Sequence, residues 1–253
     1  MINLKNKVAL ITGASRGIGK ATALKLAEAG ADIVVNYHTN REAALDTARK
    51  INALGQDAFV VKGDVAEKED IESMIDFVTE KIGHLDIVVS NAASGGFRPL
   101  LTATENNFDA AMKTNVLPLI YLVQASCKLL KQNRHRGKVI AISSHGSRLA
   151  LPFYGLIGAS KAALESTVRH LTLEVGDYAN VNVVLSGLVV TDSTNALLGS
   201  PEIFARRTEK TMTGNRVLEA EDVANAVCFL ASSMSDMVQG ATLSVDGGAI
   251  NHI

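Results

Sequence analysis

Short apolar runs alternate with longer amphipathic stretches along almost the entire chain. The runs are rich in Val, Ile and Leu and stay apolar at consecutive positions, which is typical of strands buried on both faces of a parallel sheet. Strands are predicted at residues 7–12, 32–36, 58–63, 85–90, 138–143, 181–186 and 241–245. Helices are predicted between them at residues 17–29, 40–54, 67–82, 104–132, 154–176 and 221–232.

This alternation predicts the architecture. Repeated strand–helix–strand units join parallel strands through right-handed crossovers and build a doubly wound sheet with helices on both faces. No composition break or Pro-rich linker interrupts the 253 residues, and α/β folds of about 250 residues commonly form one domain. We therefore predict a single α/β domain over residues 1–253, a Rossmann-type parallel sheet of about seven strands.

Composition and charge exclude several classes of protein. Lys and Arg number 25 against 26 Asp and Glu, so the chain offers no basic face for nucleic acid. No apolar run approaches the length of a membrane span, and the charged start runs directly into the first strand without a secretory signal. Two cysteines are too few for a disulfide framework, and the six histidines lack metal-ligand spacing. We expect a cytoplasmic protein that binds no metal and no nucleic acid and does not insert into membranes.

A glycine-rich loop joins the first predicted strand to the first predicted helix. Gly13 allows a tight turn, while Gly17 and Gly19 let the backbone approach a phosphate and let the helix pack closely on the strand. The amide groups at the start of the helix then favour a bound pyrophosphate. The cofactor contacts predicted in this loop are Gly13, Ser15, Arg16, Gly17, Ile18 and Gly19.

The loop reads TGASRGIG, with the spacing G-x-x-x-G-x-G, and in this form it closely resembles the short-chain dehydrogenase/reductase family. The resemblance covers nearly the whole chain. It implies a nicotinamide cofactor, a homotetramer built through the long helices, and a substrate lid at about 190–216. Further matches follow in chain order at Asp64-Val65, Asn91-Ala92, Asn115 and Val245-Asp246-Gly247-Gly248. By the same resemblance the nicotinamide is framed by Asn91, Gly187, Val189 and Thr191.

The end of the second predicted strand indicates which nicotinamide cofactor is bound. An acid there would hold a ribose 2′-hydroxyl, but this chain has Asn36 and no carboxylate nearby. A neutral Asn36 does not repel a 2′-phosphate, and Arg16 and Arg41 could bind that phosphate. Arg41 equally fits the exposed start of a helix. We expect NADPH.

The candidate catalytic segment departs from the family pattern. The family places a Tyr four residues before a Lys, but here Ile157 lies four residues before Lys161 and the tyrosine is Tyr154, seven residues before it. At about 100° per residue both spacings share one helix face, and the three-residue difference moves the hydroxyl about 4.5 Å along a helix. Reduction of a 2,3-enoyl thioester needs a proton donor further from the nicotinamide than ketone reduction does, because charge develops on an oxygen two carbons away from the reduced carbon.

Tyr-x6-Lys resembles the enoyl-acyl-carrier-protein reductases of this family, and the stretch Asn91–Gly95 followed by Arg98-Pro99 resembles their NADPH-dependent type III branch. The resemblance implies reduction of enoyl thioesters, carried by acyl carrier protein, in fatty-acid or polyketide synthesis. Two alternatives remain open: a carbonyl reductase of the same family, and a dinucleotide-binding sensor without turnover.

The resemblance also assigns roles. Tyr154 would protonate the enolate, and Lys161 would hold the nicotinamide ribose and favour the tyrosinate by its charge. Asn115 would hold a proton-relay water. Ser144 could bond the thioester carbonyl, or Ser143-Ser144 could simply close a strand. Three lid residues are candidates for contact with a phosphopantetheine arm, and a solvated helix face explains them equally well: Arg206, Arg207 and Lys210.

Overall fold

A computed structural model describes residues 2–191, 209–214 and 216–251. Most of the predicted lid, with Arg206 and Arg207, lies outside these residues. Apolar runs form seven strands, each within two residues of its predicted bounds. They are β1 (Val8–Ile11), β2 (Asp32–Tyr37), β3 (Ala58–Lys62), β4 (Ile87–Ser90), β5 (Gly137–Ser144), β6 (Ala179–Ser186) and β7 (Thr242–Val245).

All seven strands are parallel and form one sheet in the order β3-β2-β1-β4-β5-β6-β7. The chain moves outward from β1 to β3, then crosses back and continues outward from β4 to β7. The strand order therefore reverses between β1 and β4. In open parallel sheets, ligands bind at such a reversal, outside the carboxyl ends of the strands. The fold is the predicted single-domain α/β sheet.

Helices cover both faces of this sheet. Apolar side chains of α1 (Gly17–Glu28), α2 (Arg41–Ala53) and α7 (Ala220–Ala231) pack against one face, where Ala9 and Ile11 of β1 point. Those of α3 (Lys68–Lys81), α5 (Leu117–Gln132) and α6 (Gly155–Val175) pack against the other, where Val8 and Leu10 point. Within the part of the chain that the structure describes, no helix combines the length and apolarity needed to cross a bilayer.

The single helix predicted at 104–132 is wrong. The structure has two helices there, α4 (Glu105–Asn115) and α5, separated at Val116, whose backbone (φ −115°, ψ −56°) departs from regular helical geometry. Pro118 lies in the first turn of α5, where a missing amide hydrogen costs no helical hydrogen bond. The break matters because Asn115 is the last residue of α4 and points into the site described next.

Candidate active site

The carboxyl ends of β1 and β4 are tied together by Thr12. Its hydroxyl accepts hydrogen bonds from the backbone amides of Asn91 (2.9 Å) and Ala92 (3.0 Å). The Asn91 side chain in turn donates to the Thr12 carbonyl at 2.9 Å. Both predicted residues of the β4 loop therefore lie at the glycine loop. Thr12 is a site residue that the sequence prediction omitted, although its place beside Gly13 was a usable signal.

The glycines of the loop lie where neighbouring atoms leave little room for a side chain. A Cβ on Gly19 would overlap the Gly13 carbonyl oxygen and lie 2.6 Å from the Asn91 side-chain nitrogen. Gly17 has φ +55°, and a Cβ there would lie 3.3 Å from the Thr191 methyl group. The predicted contacts of the loop and of the chain beyond β6 thus lie side by side. Ile18 follows Gly17 in the first turn of α1, whose amide groups suit a pyrophosphate.

Asn36, predicted as the neutral residue beside a 2′-phosphate, has a side chain that turns inward and is buried. Its Oδ1 accepts from the Gly13 amide at 3.1 Å, and its Nδ2 donates to the Gly63 carbonyl at 3.1 Å. Asn36 therefore fixes the glycine loop against β2 and β3 instead of facing the cofactor.

Other predicted residues surround the end of β2. Arg16 is the N-cap of α1 and Arg41 is the first residue of α2, and both side chains are exposed. Ser15 connects the loop to α2, since its carbonyl accepts from the Thr47 hydroxyl at 3.5 Å. These positions leave both cations accessible to a phosphate.

Asp64 and Val65 follow β3. The Asp64 carboxylate accepts from the Ala66 amide at 2.9 Å and lies 3.6 Å from His38 Nε2. Val65 is buried. His38, the first residue beyond β2, is thus a further polar group at this edge that the sequence prediction did not select.

Tyr154 is the N-cap of α6 and does not lie within the helix. Its ring packs edge-on against Phe97, with 5.5 Å between ring centroids, and it lies so close to Gly146 that a Cβ there would overlap it. Ile157 occupies the position where the family has its tyrosine, and it is buried against Gly95. The phenol therefore lies at the N-terminal end of α6, and the position that holds the tyrosine in the family is apolar here.

The Ser144 hydroxyl lies near the Tyr154 phenol, close enough to act on the pKa of that phenol. Burial raises the pKa of Tyr154 above its ordinary value of 10, and the Ser144 hydroxyl acts against that rise. Ser144 ends β5 and caps the short 3-10 turn His145–Ser147 that follows. The structure therefore brings together two of the residues predicted to be catalytic.

Lys161 is buried on α6 and donates from Nζ to the Ile142 carbonyl at 2.8 Å. Burial lowers its pKa from 10.5 to about 8, because the charged ammonium is poorly solvated there. The lysine is therefore mostly protonated at neutral pH and loses its proton as the pH rises above about 8.

Asn115 bridges the loop after β4 and α6. Its Oδ1 accepts from the Ser94 amide and its Nδ2 donates to the Ser160 hydroxyl, both at 2.9 Å. Ser160 directly precedes Lys161. The side chain therefore orients the lysine's helix, and its part in a proton relay stays a prediction.

The chain beyond β6 and β7 closes the site. Val189 is buried, and a Cβ on Gly187 would lie 3.1 Å from the Asp246 Cβ. Asp246 Oδ2 lies 2.8 Å from His145 Nε2, and both side chains are buried. Nothing in the sequence links His145 to Asp246, since 101 residues separate them.

The sequence is similar to those of known proteins. A family model described as enoyl-(acyl carrier protein) reductase matches residues 13–250. The 1-cyclohexenylcarbonyl-CoA reductase of Streptomyces collinus is 35% identical over 248 residues, covering 96% of this chain and 87% of the relative. The chain belongs to the short-chain dehydrogenase/reductase family.

Solved members of the family share the whole fold. A gluconate 5-dehydrogenase from Burkholderia cenocepacia, in complex with NADP and tartrate, is similar with a TM-score of 0.91 and 33% identity over 99% of this chain and 98% of that one. The reductase LugOII, described as catalysing keto-reduction, has a TM-score of 0.89 and 32% identity over 98% and 99%. Similar structures hold NADP or NADH. The chain is an oxidoreductase of this family with a nicotinamide cofactor.

The glycine loop fits that cofactor, since its glycines allow close packing of the backbone and the amide groups at the start of α1 suit a pyrophosphate. The backbone of Gly17, Ile18 and Gly19 would hold the pyrophosphate, and Asp64 and Val65 would border the adenine. Among residues 2–191, 209–214 and 216–251, the structure groups no three His, Cys, Asp or Glu side chains as a metal site.

Proposed function

We propose that the protein reduces the 2,3 double bond of trans-2-enoyl thioesters, carried by acyl carrier protein, with NADPH. The observation that carries the proposal is the place of the phenol. Tyr154 lies at the start of α6 against Ser144, and the position four residues before Lys161 holds the buried, apolar Ile157.

The displacement suits the chemistry of a conjugated thioester. A nicotinamide held at the glycine loop would supply hydride for C3. Charge then develops on the thioester oxygen, which lies two carbons away, so its proton donor must stand further out than in ketone reduction. Tyr154 would donate to that oxygen with Ser144 as its hydrogen-bond partner, and the proton finally reaches C2. The positive charge on Lys161 would favour the phenolate form of Tyr154 as its proton leaves.

Two comparisons support this reaction class. The matching family model is described as an enoyl-(acyl carrier protein) reductase. The Streptomyces relative is named for a coenzyme A thioester with a ring double bond beside the carbonyl. Carbonyl reduction is the second candidate, favoured by the keto-reducing neighbour and by the Ser144–Tyr154 pair, which also suits a ketone.

The preference for NADPH rests on charge. Arg16 and Arg41 are exposed at the two helix starts beside β2, and guanidinium groups bind phosphate through paired hydrogen bonds. Replacing both with Met should raise KM for NADPH much more than KM for NADH. An equal rise for both cofactors would contradict a 2′-phosphate contact.

A substrate comparison tests the reaction. Oxidation of NADPH is followed with a crotonyl thioester and, separately, with a 3-oxoacyl thioester, each on coenzyme A and on acyl carrier protein. We expect turnover of the enoyl substrate and a lower KM on the carrier protein. Turnover of the oxo substrate alone would overturn the proposal in favour of carbonyl reduction, and tight NADPH binding without turnover would favour a sensor. Tyr154→Phe should remove most of the rate and leave NADPH affinity nearly unchanged.

A further inference from the structure

A buried carboxylate without a role in the proposed reaction lies beside the catalytic turn. Glu165 on α6 has a side chain only 7% exposed. It follows Lys161 by one helical turn and shares its helix face. Lys161 contacts the carbonyl of Ile142, and Glu165 contacts the residues that come next in the chain.

The contacts of Glu165 lie on both sides of Ser144. The Ser143 hydroxyl donates to Oε1 at 2.7 Å. Beyond Ser144, the Ser147 hydroxyl reaches the same oxygen, and Arg148 Nη2 donates to Oε2 at 3.2 Å. Ser147 also lies 2.8 Å from the Ser144 carbonyl oxygen, so its single proton serves one of the two acceptors at a time.

Packing of α6 against β5 does not by itself require a carboxylate at position 165. Burying one is costly unless hydrogen bonds and an opposite charge compensate it. Several other serine hydroxyls among the described residues donate to backbone carbonyls, as Ser126 does to Leu122. Glu165 instead accepts from three donors, one at the end of β5 and two in the turn that follows it.

We propose that Glu165 is a positioning residue that fixes the turn around Ser144 and thereby aims the Ser144 hydroxyl at Tyr154. The Ser144 side chain makes few other contacts that could hold it, since its bond from the Gly146 amide is long at 3.4 Å. Its direction therefore follows from the backbone of the turn, and that backbone is held from the α6 side by Glu165.

A double-mutant cycle tests this inference. Glu165→Gln keeps the size and one acceptor oxygen but loses the charge that pairs with Arg148. We expect kcat to fall about ten- to a hundredfold, since small displacements of reacting groups are costly, with KM for NADPH unchanged. In a Ser144→Ala background the same change should lower kcat by less than about threefold, because the effect passes through Ser144. The cycle uses whichever thioester the wild-type protein reduces, enoyl or oxo, so it remains informative if the proposed substrate is wrong.

A spectroscopic readout makes the test independent of turnover. With ¹³C-labelled tyrosine the chain gives four Cζ signals, and Tyr154→Phe identifies that of Tyr154. Glu165→Gln and Ser144→Ala should each move this signal in the same direction, and the double variant should move it no further. An unchanged signal in Glu165→Gln, or an equal loss of kcat in both backgrounds, would overturn the proposal.

The matched control is Asp86→Asn. Asp86 is also a buried carboxylate, and it accepts from Lys7 Nζ at 2.8 Å and from the Val8 amide at 3.0 Å. It directly precedes the amino end of β4, whereas Tyr154 lies at the carboxyl ends of the strands. This variant should lower the unfolding temperature while kcat and the Tyr154 signal stay at wild-type values. If Asp86→Asn lowers kcat as much as Glu165→Gln does, a general loss of stability explains both effects and the proposal fails.

Discussion

Lys161→Met should make the protein more stable while it abolishes turnover. The lysine is buried, and its pKa falls from 10.5 to about 8. At about 1.4 kcal/mol per pH unit, this fall means that the buried charge costs the folded state about 3 kcal/mol near neutral pH. Methionine has nearly the same shape and carries no charge, so it removes that cost.

The lost hydrogen bond to the Ile142 carbonyl offsets part of the gain. Leaving that carbonyl without its partner costs about 1 kcal/mol. The net expectation near pH 7 is an increase of about 2 kcal/mol in the free energy of unfolding. For a chain of this length that corresponds to a rise of about 4–8 °C in Tm.

The stability gain of the variant depends on pH, and this dependence is what the assay measures. A lysine whose folded-state pKa is lowered destabilises the fold below about pH 8, and this cost disappears as pH rises towards 10.5. Urea unfolding of the cofactor-free protein, wild type against Lys161→Met, should therefore show the advantage of the variant shrinking by about 2 kcal/mol between about pH 7 and about pH 10. A variant less stable than wild type by the same amount at both values would refute the reasoning.

Three further outcomes follow from the structure. Gly19→Ala should abolish NADPH binding in a fluorescence titration, because its Cβ would overlap a carbonyl of the glycine loop; retained affinity would contradict that packing. Phe153→Asn should raise the free energy of unfolding by about 1 kcal/mol, because Phe153 is exposed and has φ +60°, where asparagine is tolerated. The same change at exposed Phe108 within α4 should lower it, and equal effects at both sites would count against backbone strain. Finally, kcat/KM should fall above about pH 8 as Lys161 loses its proton; a profile flat to about pH 10 would exclude a charged lysine from the reaction.

The strands and the glycine loop could be predicted because their signals are local. A parallel strand buried on both faces must be apolar throughout, as β1 with its sequence VALI is. The helix break at Val116 was missed because apolar residues continue across it. Pro118 was the local signal of the break, since proline in the interior of a helix removes a hydrogen bond and is best placed in a first turn.

Other features have no local signal. The sequence shows that Asn36 is neutral, but not that its side chain turns inward to the Gly13 amide. Nor does it show that Glu165 and Ser143, or His145 and Asp246, meet across the fold. Such pairs depend on how distant elements pack, so they become visible only once the sheet is assembled.

The contact between Ile157 and Gly95 bears on how the reaction of such a protein can evolve. A Cβ on Gly95 would lie 2.8 Å from the Ile157 Cδ1, so this corner is already filled. Moving the phenol from position 154 to 157 needs a larger side chain in the filled corner and the loss of the present hydroxyl. Either change made first leaves an overpacked loop or a protein without the phenol that we propose as its proton donor. A change of the tyrosine position therefore passes through an impaired intermediate. Single substitutions should rarely convert a protein with the tyrosine at position 154 into one with the tyrosine at position 157.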